Sequence, residues 1–266
     1  MVCSFFIMKY VILLIFIFSS CSKINWFRKN KEAPAPINLV NYKEFSSEDY
    51  IDHLVSYEKI YSNHQKRNIH NLRPGVKRYL EGIVKNISQK NELFFSQEIS
   101  PDFYIIKSNV PFHFSLPGRK FFLSSGLIKK YIKNESLLYC VLAYELIRSE
   151  KKIYNKTIII PTGVLSTPKV LSLLRISTYE KVEIHKWAYY LLKRIGLETD
   201  TYLTWLQVKN RNSLDFSLQL GDIQSISIEE SMFKSFLIKS VKEKSRNYVY
   251  KGSSKKFYAF VRSIKG

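Results

Sequence analysis

One carboxylate in an apolar run is the first group in this chain that could do chemistry. Glu145 sits in Leu137-Leu138-Tyr139-Cys140-Val141-Leu142-Ala143-Tyr144-Glu145-Leu146-Ile147-Arg148. A glutamate buried there without a counter-charge would cost several kcal/mol or take up a proton. Its neighbours are Tyr144, a phenol with an ordinary pKa of about 10, and Arg148, always charged and without a lone pair to offer a metal. A second titratable stretch, Glu180-Lys181-Val182-Glu183-Ile184-His185, follows Ser177. His113 lies near the turn at Pro117-Gly118, whereas His53, His64 and His70 show no ligand spacing. The chain has no GxSxG, no paired-cysteine metal motif and no phosphate loop. Cys140, alone in its apolar run, reads as a small buried hydrophobe.

The elements that must position these groups follow from periodicity and caps. Ser46-Ser47-Glu48-Asp49 starts a helix carrying Tyr50, Leu54, Tyr57, Ile60 and Tyr61 at helical spacing. Arg73-Pro74-Gly75 breaks the chain before a helix over 76–90, with Val76, Leu80, Ile83, Val84 and Ile87 on one face. Strands are expected at 103–106, 112–116, 120–123 and 158–160, with Pro117-Gly118 turning the second into the third. Ser124-Ser125-Gly126 opens a short helix, and Asn134 caps a long one ending at Glu150. Helical period resumes over 168–175 and over 177–195, where Gly196 is a C-terminal stop. Beyond it come a helix over 229–242 and an aromatic, strand-like segment over 248–261. The class is α+β with helices predominating.

The first residues read as a leader. Met8-Lys9 is a short positive region, Tyr10–Phe18 an apolar one, and Phe18-Ser19-Ser20-Cys21 a small-residue cleavage site. The apolar run is shorter than the roughly 20 residues a membrane span needs. It resembles a bacterial lipoprotein signal, with Met1 or Met8 as start and Phe18 where leucine is commonest. That resemblance implies a signal peptide over 1–20, acylation of Cys21 (palmitate among the chains), and Ser22 directing the protein to the outer membrane, facing the periplasm. Residues 21–45, with Ala33-Pro34-Ala35-Pro36, then form a tether.

Forty-two basic against 22 acidic residues give a formal charge of +20. These residues are scattered, with no run of Lys or Arg longer than a pair, so no nucleic-acid partner is expected.

Residues 114–148, FSLPGRKFFLSSGLIKKYIKNESLLYCVLAYELIR, resemble the zinc metallopeptidases of the HtpX and CAAX-prenyl-protease type, peptidase family M forty-eight. That family places two histidines one turn apart on a helix, with a glutamate after the first. A third ligand, a glutamate, comes from a later helix that 177–196 resembles. On this register the ligand positions are Tyr144, Arg148 and Lys181, and only Glu145 of the motif remains. The resemblance implies a gluzincin-type core over 46–204, a small sheet packed on the active-site helices, and a basic extension over 205–266. It also implies a strand, Lys120-Phe121-Phe122-Leu123, able to pair with an extended peptide.

Arg148, Lys181 and Glu145 are expected to form a metal-free ion cluster. Three functions stay open. One is an inactive metallopeptidase-like lipoprotein without cofactor, anchored to the membrane through its lipid and binding an envelope protein or peptide. Another is an active zinc endopeptidase using, for example, Glu145 and His185. The last is a basic envelope protein holding anionic lipid or cell-wall polymer.

Overall fold

The computed structural model describes residues 47–91, 95, 100–154, 163–197, 200–240 and 252–265. The leader, Cys21, the tether and the strand expected over 158–160 lie outside the described residues. Glu44–Gly266 forms one compact unit. Its elements run α1 (Ser47–His64), a 3-10 turn (Lys66–Asn68), α2 (Pro74–Gln89), β1 (Asp102–Ile106), β2 (His113–Leu116), β3 (Lys120–Ser124), α3 (Ser125–Lys130), α4 (Glu135–Glu150), α5 (Thr167–Leu173), α6 (Thr178–Arg194), α7 (Asp200–Arg211), α8 (Ser217–Leu220), α9 (Ser225–Ser240) and α10 (Lys255–Lys265). The expected α+β class, rich in helix, holds. Among the described residues no helix is long and apolar enough to cross a membrane.

The sheet is small and divides the core in two. Its order is β1-β3-β2, with β1 parallel and β2 antiparallel to β3. Side chains alternate across it. Phe103, Ile105, Phe121 and Leu123 face the main core with α2, α4, α6 and α7. Ile106, Phe112, Phe114, Leu116 and Phe122 face a second core with α1 and α5. On that side Tyr104, Phe122 and Phe114 form a cross-strand ladder, each neighbouring pair stacked at 4.7 Å, and Tyr61 of α1 closes it edge-on.

The order overturns one expectation. Lys120-Phe121-Phe122-Leu123 is not a free edge: β3 is the inner strand, paired on both sides. On β2, one of the two edge strands, the backbone N–H and C=O of His113 are bound by the side-chain amide of Gln219 at 3.3 and 2.9 Å.

Local chemistry explains the turns and caps. Gly118 (φ 78°) and Arg119 (φ 58°) both take the left-handed region between β2 and β3. Arg119 is held there by an ion pair to Glu150, while its backbone N–H donates to Ser149 Oγ at 2.8 Å. Asn134 caps α4 by accepting from the Leu137 N–H. Ser177 and Glu180 form a capping box on α6, and Gly196 (φ 78°) terminates that helix as its sequence predicts.

The tail differs from expectation. Within the strand-like segment over 248–261 the residues from Lys255 onward are helical, in α10. Phe257, Phe260 and Ile264 are buried at helical spacing, and Phe260 packs near Tyr79 of α2. Their aromatic and branched composition suits a strand, but packing on α2 and α3 selects the helix. The boundary placed between 204 and 205 falls inside α7, whose Trp205 and Leu206 belong to the main core.

Two glycines make opposite predictions. A Cβ on Gly126 would meet the backbone oxygen of Asn109 at 2.3 Å, whereas a Cβ on exposed Gly82 meets nothing. Gly126→Ala is therefore expected to destabilise by about 1–3 kcal/mol. Gly82→Ala, inside α2, is expected to stabilise by about 0.5–1 kcal/mol. Denaturant unfolding of both variants checks the pair.

Candidate functional site

Helix α4 is buried on almost every side, so each polar group it carries must find a partner inside the protein. β2 supplies them. Its alternation sends Phe112, Phe114 and Leu116 into the second core and leaves His113 and Ser115 facing α4. His113 Nδ1 lies 2.6 Å from Glu145 Oε1, and Ser115 Oγ donates to Glu145 Oε2 at 2.7 Å. Arg148 Nη1 stands 3.9 Å from Oε2. Glu145 is 1% exposed.

Desolvation alone would raise the Glu145 pKa. The His113 hydrogen bond, Arg148 and Ser115 outweigh it and hold the carboxyl below its ordinary value. Burial in turn lowers the His113 pKa more than Glu145 raises it. A neutral imidazole beside an ionised carboxylate places its proton on Nδ1. Nε2 then keeps its lone pair, buried and without a hydrogen-bond partner.

Arg148 has other duties. Its guanidinium donates to the carbonyls of Leu174 and Ile153 and lies 5.3 Å over the Tyr154 ring. It ties the end of α4 to the end of α5. Tyr144 packs between the rings of His113 and His185, and burial pushes its phenol far above the usual range.

The second titratable stretch forms a separate cluster around Glu229 of α9, which is fully buried. Lys181 Nζ lies 2.9 Å from Glu229 Oε1; His185 Nε2 and Lys209 Nζ approach Oε2 at 3.3 and 3.8 Å. His185 Nδ1 is 2.8 Å from the Tyr202 hydroxyl. Burial lowers the His185 pKa to about 4. The neutral ring therefore donates from Nε2 to Glu229 and accepts from Tyr202. Desolvation opposes ionisation of Glu229, but His185, Lys209 and Lys181 together bring its pKa to about 2.

The expected cluster of Arg148, Lys181 and Glu145 is thus split. Arg148 faces Glu145, whereas Lys181 is taken by Glu229, a residue sequence reasoning assigned no role. Glu180 is spent on the α6 cap, and Glu183 pairs with Lys186. His185 and Glu145 belong to different clusters, so they do not supply a shared metal site. Among the described residues no three His, Cys, Asp or Glu side chains converge as a metal-binding group. Cys140 is buried, with its thiol pushed up in pKa by burial.

Ser115, Lys209 and Glu229 escaped the sequence reading, and His113 entered it only as a residue near the Pro117-Gly118 turn. For the β2 pair the signal was present: polar residues alternate with Phe112, Phe114 and Leu116 in an otherwise apolar strand.

Tyr144, Arg148 and Lys181 nevertheless line one cavity of about 40 Å³, together with His113, Lys209 and Glu229. No protein-family model and no curated protein matches the chain.

The His185 shift sets a pH dependence. Its pKa is about 4 when folded against 6.5 for the free group, so between these values the unfolded chain holds a proton the folded one lacks. Stability from this group is present above pH 6.5 and lost as pH falls toward 4. The loss is up to about 3 kcal/mol. Glu229 continues the decline from pH 4.5 toward 2. Denaturant unfolding at stepped pH should show both limbs, and His185→Gln should make the upper one shallower, leaving the part that buried His113 contributes.

Proposed function

We propose that the chain is a catalytically inactive, metallopeptidase-like lipoprotein of the bacterial envelope. In this reading the lipid on Cys21 holds it at the outer membrane, facing the periplasm, and it binds a protein or peptide partner instead of hydrolysing one. A gluzincin-type arrangement would comprise α4 as the former catalytic helix, α6 as the helix of the third ligand, and the small sheet beside them.

The observation that carries the reading is the convergence of Tyr144, Arg148 and Lys181 on one cavity. The resemblance assigns these positions, far apart in sequence, to metal ligands. Their side chains bring a phenol held protonated and two cations, a donor set unsuited to a dication. The glutamate that would activate water already has both oxygens occupied, by His113 and Ser115. A general base must be within hydrogen-bond reach of its proton donor, and Glu145 is not among the residues that line the cavity. Glu145 serves instead as a structural anion joining α4 to β2.

Partner binding draws support from the surface. Trp187 and Tyr190 stand together on the outer face of α6, 44% and 41% exposed, and Tyr190 contacts Phe236 of α9. Aromatic groups exposed in company are the composition of an interaction surface. No pairing with a peptide through β3 enters the reading, since that strand has no free side.

Metal content measured by mass spectrometry tests it. The parent chain, purified without chelator, is expected to carry no stoichiometric zinc. A Tyr144→His/Arg148→His/Lys181→Glu variant is expected to take up one zinc per chain. Zinc in the parent would overturn the reading, and a variant that folds yet ignores zinc would remove the register on which it rests. Arg148→Ala alone should destabilise by about 3–5 kcal/mol, because it strips the counter-charge from a buried carboxylate.

A further inference from the structure

The cavity that gathers the former ligand positions is unusually basic for a buried space. Arg148, Arg175, Lys181 and Lys209 all reach its wall, and Glu229 is the one carboxylate among the lining residues. Glu145 lies behind His113 and is matched to Arg148; Glu229 is divided between Lys181 and Lys209. Four cations therefore meet two carboxylates, in surroundings where an uncompensated charge is expensive.

Two lining groups are also left without hydrogen-bond partners. Arg175 donates from Nη2 to the Leu218 carbonyl at 3.2 Å, but its Nε–H is buried and unsatisfied. His113, 2% exposed, has an equally unsatisfied Nε2. Native proteins rarely leave such groups unpaired without a ligand or water to meet them. A volume of about 40 Å³ leaves room for roughly three water-sized groups. Arg175, Lys181 and Gln219 are the half-buried members of the lining, so the opening lies on their side.

We infer that this cavity binds a small oxyanion carrying a hydroxyl or amide proton next to its charged oxygens. The charged oxygens answer the cations and the free Arg175 Nε–H, where charge-assisted hydrogen bonds are strongest. The proton donor answers the lone pair on His113 Nε2. Hydrogen phosphate has both features on one phosphorus, and a peptide C-terminus has them in its carboxylate and last amide N–H. The inference goes beyond the reading above and rests on this cavity alone, whatever the ancestry of the fold.

Isothermal titration of the full chain at constant ionic strength tests it, with inorganic phosphate, N-acetyl-alanyl-alanine and the C-terminal amide of that dipeptide as probes. Saturable one-to-one binding of phosphate or of the dipeptide acid is expected, with none of the amide. Preference for phosphate identifies the free inorganic anion as the source, and preference for the acid identifies a peptide C-terminus. Arg175→Gln should weaken binding at least about tenfold. Gly221→Ala should weaken it too, because a Cβ there would meet the Arg175 guanidinium at 2.5 Å. Absence of saturable binding by either oxyanion, or affinity unchanged in Arg175→Gln, would overturn the inference. Should both variants fail to fold, the parent chain decides. Its Tm must rise in phosphate or dipeptide acid relative to chloride of equal ionic strength, and no rise overturns the site.

Discussion

A charged carboxylate inside an apolar helix is the constraint to which the rest of this molecule answers. Glu145 sits where α4 is covered by β2, α6 and α7, and water does not solvate it. Its ionised form survives because His113 and Ser115 arrive from the next layer at 2.6 and 2.7 Å. That requirement fixes much else. β2 must present alternate polar residues to α4, so its apolar residues must face the second core. The β2–β3 turn must bring the sheet close to the end of α4, which Arg119, Ser149 and Glu150 secure.

A second buried carboxylate repeats the solution with different parts. Glu229 enters from α9 and collects Lys181 and His185 from α6 and Lys209 from α7. The three helices thereby acquire a polar register, because a slip of one turn would strand a buried charge. The two clusters meet across Tyr144, whose ring touches His113 on one side and His185 on the other. The cavity opens between them, which is why its wall carries cations and imidazole side by side.

What the sequence disclosed was local in origin. The face of α2, the Asn134 cap, the Gly196 stop and the Pro117-Gly118 turn each depend on residues within a turn or two, and each was legible. Long-range pairing was not. Nothing in Lys120–Leu123 tells an inner strand from an edge, because the answer lies in the parallel partner Asp102–Ile106. Phe257 and Phe260 looked like strand residues until α2 supplied a surface for one helical face. The ion cluster was half foreseen. Arg148 shares a helix with Glu145, three residues away, so their approach followed from spacing. Lys181 finds its partner 48 residues downstream, at a glutamate no motif marked.

Central to this account is that Glu145 is a committed structural anion and not a base waiting for a substrate. Nitrogen-15 NMR of imidazole-labelled protein, with the His113 signals assigned through His113→Asn, reads its state directly. Glu145 as ionised acceptor requires a proton on His113 Nδ1, and burial of the ring, which lowers its pKa, leaves Nε2 bearing the lone pair at pH 7. A proton on Nε2 instead, leaving Nδ1 bare against Glu145, would mean that the carboxyl itself carries the proton, and the account would fail.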